Sequence, residues 1–185
     1  MRKPAVVFAV ALVSAVAITV TAATRANARA EVLAAPQLDD AAIVAIFDLA
    51  NTADIESGRL GADRAVNKEV RDYGAMLSQV HTEVRQKGRD LAKKLGVTPA
   101  LPPDNTMGRD HAAAMARLSK LSGAEFDRAF VAHEQAFHKA VLDAVKGTLL
   151  PAIRNQELKD FVASLGPAFE AHRVMAEHLE KKLAR

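Results

Sequence analysis

The 185-residue chain has no cysteine, no tryptophan and a single tyrosine. Without cysteine there can be no disulfide, no thiolate metal ligand, no cysteine nucleophile and no lipid attached to a cysteine after a signal. Aromatic residues are scarce and no basic block is interleaved with them, so nucleic acid has no footprint and is not an expected partner. A Gly-x-Ser-x-Gly elbow, a Gly-rich phosphate loop and a His-Glu-x-x-His pair are also missing, which argues against a hydrolase, a nucleotide enzyme or a zinc protease. Strand patterns are absent too. Stability must therefore come from packed helices.

The first thirty residues look like an address. Met1-Arg2-Lys3 is a positive start, residues 4–24 carry no charge, and Ala26-Asn27-Ala28 or Ala28-Arg29-Ala30 offers a small-x-small cleavage site. We expect residues 1–30 to be a cleaved signal peptide, 31–38 a linker and 39–185 the folded domain. An uncleaved membrane anchor is the alternative, because the uncharged run is long enough to span a bilayer. Cleavage implies a periplasmic or secreted protein with no stable membrane insertion. The net positive charge of the chain lies in the signal: without it, 21 basic residues face 22 acidic ones.

Helical periodicity accounts for the rest. A first helix from Asp39 to Arg64 carries Ile46, Ala50, Ala53, Ser57 and Leu60 on its seam, with Asp39 or Asp40 as an acidic cap. A second follows Asn67 and stops at Gly96. Pro99, Pro102 and Pro103 enforce a connection, Gly108 to Lys120 reads as a short helix, and Ser122 to Glu125 is a capping box opening a helix to about Gly147. The last helix begins near Pro151 and is kinked, not broken, at Gly166-Pro167. The expected fold is all-α, a four-helix bundle of two hairpins joined by a crossover that holds a short helix.

Three histidines occupy positions where such helices ordinarily bury leucine. The seams read Leu77, His81, Val84, Gly88, Leu91; Phe126, Phe130, His133, Phe137, Ala140; and Leu165, Phe169, His172, Ala176, Leu179. An imidazole aimed into a bundle interior without a partner costs roughly 1–3 kcal/mol. Residues of an antiparallel hairpin lie level when equidistant from the turn. By that rule His133 and His172 are level around Pro151, and Glu56 and His81 around Asn67. Glu56, His81, His133 and His172 are thus a candidate first shell for one divalent metal: Zn, Fe, Mn or Cu.

The alternative is a core polar network with no metal, in a non-catalytic structural or envelope-stress interaction module. His111, His138 and His178 fall off the seams and read as solvent-facing, His138 pairing with Glu134 one turn earlier. No Glu-x-x-His motif accompanies the seam histidines, so di-iron chemistry is not expected. No enzymatic class is implied. Small residues on the first helix, Ala53, Ser57, Gly58 and Gly61, would suit either a neighbouring helix or a second copy in a homo-oligomer.

Several segments resemble one family. Asp54-Ile-Glu-Ser-Gly-Arg-Leu60, the run from Tyr73 to His81, the run from Leu121 to Phe130 with His133 behind it, and Leu165-Gly-Pro with His172 after it are similar to the bacterial exported proteins grouped as domain of unknown function 4142. The resemblance covers about Asp39 to Leu183. It implies a periplasmic, ferritin-like four-helix bundle and no assigned activity. The chain departs from the usual family wording at Gln79-Val80-His81, where an acidic residue would precede the histidine.

Overall fold

The computed structural model describes residues 38–184. The expected signal peptide and nearly all of the linker lie outside the described residues. Among those described, every regular element is a helix, and none is long and apolar enough to cross a membrane. Helix α1 spans Asp40–Arg64 and α2 Lys68–Leu95; α3 is the crossover helix Met107–Leu118. Helix α4, Gly123–Ala144, runs on through a π-turn at Val145–Leu149 into a short α5, Leu150–Ala152. Helices α6, Gln156–Ser164, and α7, Gly166–Leu183, form the last long rod.

Local chemistry sets these boundaries. The Asp39 carboxylate accepts from Ala42 N at 2.8 Å, and the Asn67 side chain accepts from Glu69 N and Val70 N, which fixes both N-termini. Gly96 ends α2 at φ 67°, a left-handed conformation that favours glycine. Ser122 does start α4, but its hydroxyl makes no capping bond; Gly123 follows it at φ 59°. The last hairpin turns three to four residues later than expected, because Pro151 is tolerated inside α5 and Asn155 caps α6 through Leu158 N at 3.1 Å.

At Pro167 the helix is interrupted for one residue, Leu165, yet Leu158, Val162, Phe169, His172 and Ala176 stay buried on one line. The phase therefore survives the proline.

Helix α1 packs along α2, and α4 along α7; contacts of α1 with α4 and of α2 with α7 close the bundle. Two carboxylates, Asp127 buried and Asp40 half-buried, tie the hairpins together at their ends. Asp127 of α4 accepts from Val66 N and Asn67 N at 3.0 and 2.8 Å, and Asp40 of α1 accepts from Arg154 N and Asn155 N at 2.8 and 3.0 Å. Each satisfies amides that a turn leaves without helical partners.

The small residues of α1 are used inside the chain. A Cβ on Gly58 would lie 2.7 Å from Gly74 O, and one on Gly61 would meet the Phe130 ring. That stripe lets α1 approach α2 and α4.

The apolar core is divided. One cluster centres on Val70, Leu77, Phe126 and Phe130, another on Ile43, Leu149, Leu158 and Val162. Between these clusters each of the four long rods carries buried polar side chains, beside a smaller apolar group of Val84, Leu142 and Phe169.

Candidate metal centre

The polar layer is built from one or two turns of each rod. Helix α1 supplies Asn51, Asp54 and Ser57, α2 supplies His81, α4 supplies Glu134 and His138, and α7 supplies His172; all are buried. The rings of His81, His138 and His172 stand 5.3–5.7 Å apart, centroid to centroid. Their ligand nitrogens lie within 4.8 Å of one another, as do the carboxylate oxygens of Asp54 and Glu134 and a ring nitrogen of His138 as a second triad.

Hydrogen bonds decide which nitrogens face inward. The Asn51 amide donates to Phe47 O at 2.8 Å, so its oxygen accepts from His81 Nδ1 at 2.9 Å. His138 Nδ1 donates to the Glu134 carbonyl at 3.0 Å. Both rings therefore carry their proton on Nδ1 and turn an Nε2 lone pair toward the interior. His172 Nδ1 lies 3.3 Å from His81 Nε2 and donates to it when no ion is present. Two nitrogens bound to one tetrahedral metal at about 2.0–2.1 Å sit about 3.4 Å apart, so the same separation suits a shared ion.

The remaining groups are left wanting. His138 Nε2, Asp54 Oδ1 and both carboxyl oxygens of Glu134 are buried without a hydrogen-bond partner. Asp54 Oδ1 is 3.8 Å from His138 Nε2, and Asp54 Oδ2 is 3.4 Å from His81 Nδ1. Orphaned buried acceptors of this density cost about 1–3 kcal/mol each unless a proton or a cation meets them.

Protonation follows from burial. Desolvation pushes His81 down to about 3 and His138 to about 4, with neighbouring imidazoles reinforcing the shift, and it lowers His172 as well. All three rings are neutral near pH 7, the form a metal needs. Burial raises Asp54 well above the usual carboxylate range, and the adjacent Glu134 charge raises it further. Glu134 is pushed up to about 7, again by burial. Two carboxyl groups this close and this dry share protons as a pair.

Of the four residues proposed from sequence, His81 and His172 meet in the centre. Glu56 does not. It is exposed on the opposite edge of its helical turn, where its carboxylate is 2.8 Å from His111 Nε2. Nor does His133, which is half-buried beside Phe137 and held low, to about 4, by burial and then by His111 and Arg117. Their places are taken by Asp54 and by His138, the latter expected at the surface.

His138 does approach Glu134 as expected, at 3.7 Å, but inside the core. The signal for it lay in the four-residue step Phe126, Phe130, Glu134, His138, Leu142, all buried. His178 is exposed and His111 half-buried.

A family model described as Domain of unknown function (DUF4142) matches residues 21–179. No curated protein and no solved structure matches the chain.

Proposed function

We propose that this chain, which belongs to the domain of unknown function (DUF4142) family, is an exported bundle that binds one divalent metal ion in its core. The ligands are His81 Nε2, His138 Nε2, His172 Nδ1 and Asp54, with Glu134 beside them to balance charge. One observation carries the reading: three neutral imidazoles from three helices converge next to orphaned carboxyl oxygens, with His81 and His138 already held through Nδ1 in the tautomer that metal binding requires. Nitrogen and oxygen donors without thiolate suit Zn, Fe, Mn or Cu(II). Metal handling or protection of the periplasm against stress fits such a site better than turnover of an organic substrate, for which no nucleophile is assembled.

A proton-filled network is the second reading, favoured by the raised Glu134: a proton shared with Asp54 would meet two of the orphaned oxygens without any ion. Elemental analysis of protein extracted from the periplasm separates the two, together with N-terminal sequencing to establish export. About one equivalent of metal is expected, and titrating metal-free protein with Zn, Mn, Fe(II) or Cu(II) should raise its thermal midpoint. Stoichiometric metal absent from the extracted protein, and a midpoint unmoved by all four ions, would rule the metal reading out.

A further inference from the structure

A shallow groove of about 260 Å³ runs between α2 and α7, and none of the core histidines lines it. It carries two of the four methionines among the described residues, Met76 and Met175, with His178 beside them. Two rungs fix how these helices face each other. Lys182 Nζ meets a Glu69 carboxylate oxygen at 2.7 Å, and His172 Nδ1 lies 3.3 Å from His81 Nε2. The helices are thus antiparallel, and seven residues in from the first rung stand Met76 on α2 and Met175 on α7. His178 follows Met175 by three residues, a spacing that sets Cβ atoms about 5–6 Å apart on one helix face. Two thioethers and an imidazole therefore border one stretch of the groove.

The harder donors nearby are committed. Glu69 is paired with Lys182, Asp72 with Lys68 at 2.6 Å, and the Tyr73 hydroxyl donates to His172 O at 3.1 Å. His178 makes no hydrogen bond among the described residues, and Met175 is 44% exposed. What the groove offers an ion is sulfur and a ring nitrogen. Zn, Fe and Mn sites draw on imidazole and oxygen, whereas thioether sulfur selects Cu(I). Met76 also packs on the core cluster beneath it, a task that leucine would serve equally. The rotatable bonds of methionine let both sulfurs swing toward a guest without moving the helices.

We infer that Met76, Met175 and His178 form a second, surface metal site that takes Cu(I). It shares no ligand with the core centre and stands whether or not that centre binds an ion.

Ag(I), an air-stable ion of the same soft class, is the first probe, and Cu(I) under anaerobic conditions the second. On protein labelled at the methionine methyls, about one equivalent of either should shift the resonances of Met76 and Met175 and leave Met115 of α3 unmoved. Zn should move neither of the first two. Met107 lines the pocket beside Asp54, His81 and His138, so its methyl reports an ion taken up by the core instead.

Met76→Leu with Met175→Leu conserves volume and should lose the equivalent of Cu(I) that the protein holds against a chromogenic chelator. Met175→Leu alone, at an exposed residue, is the second variant if the pair does not fold. In the same competition His178→Ala should bind about tenfold or more weakly, since a ligand counts for no less than a partner that orients one. No shift of Met76 and Met175, a shift of Met107 alone, an equal response to Zn, or that equivalent retained in a folded methionine variant overturns the inference.

Discussion

Asn51 accepts the Nδ1 proton of His81 at 2.9 Å while its own amide nitrogen donates to Phe47 O one turn back in α1. A neutral side chain on one helix thus dictates which imidazole nitrogen of the next helix faces the core. A carboxylate in that place would make the ring more basic and add a third buried acid beside Asp54 and Glu134. The carboxamide orients without charging.

That relationship predicts a specific loss. Asn51→Ala frees His81 to rotate and to exchange tautomers, so metal affinity should fall about 10–100-fold with stoichiometry unchanged. Competition against a chelator of known affinity measures it. Wild-type affinity in the variant would mean that His81 is held by something else.

The placement of the histidines gives a second test. His138→Ala removes an inward lone pair and should abolish stoichiometric metal, whereas His133→Ala and Glu56→Gln should leave it near one equivalent, because both side chains lie outside the cluster. Metal retained by His138→Ala, or lost in either of the other two, would contradict the assignment.

Why the helices were legible while the ligands of α1 and α4 were not has a physical cause. Hydrophobic periodicity finds a face by its apolar residues, and α2 and α6–α7 interrupt theirs with one histidine each. Helix α4 interrupts its face with Glu134 and His138 together, so the apolar Phe137 drew the seam one position aside, onto His133.

Helix α1 carries Asn51 and Asp54 inward in the same way. A buried carboxylate is rare because it must be matched by a proton or a cation, and a reading built on that rarity turns it outward. The equal-distance rule held the missing information: Asp54 and His81 are also level around Asn67, and His138 and His172 around Asn155, the residue that caps α6.

Acid should weaken the metal-free protein. His81, His133, His138 and His172 are all lowered by burial, so below their ordinary value of 6.5 the unfolded chain binds protons that the folded chain does not. Asp54 and Glu134 are raised, and they act in the opposite sense: their folded forms hold protons that the unfolded chain has lost above about 4.5.

Four groups outweigh two. Stability should fall as pH drops from 6.5 toward 4.5, with a net uptake of about two protons on unfolding. Urea unfolding across that window measures the slope, and a flat or rising stability on acidification would show that the histidines are not buried neutral.

A close backbone-to-backbone approach sets the last expectation. Gly58 and Gly74 face each other where α1 crosses α2, and a Cβ on Gly58 would lie 2.7 Å from Gly74 O and 2.8 Å from Ser78 N. Both obstacles are backbone, so neither can rotate away. Replacing glycine by alanine inside a helix ordinarily gains about 1 kcal/mol, but forcing α1 from α2 should cost about 1–3 kcal/mol or more. It would also shift Asp54, one turn away, relative to His81.

Gly58→Ala should therefore lower the urea midpoint. Gly108→Ala, in α3 with nothing within 4 Å of its added carbon, should leave the midpoint unchanged or raise it. Were the two variants equally stable, α1 and α2 would have to be packed less tightly than this, and the Asn51–His81 hydrogen bond that spans them would lose its support.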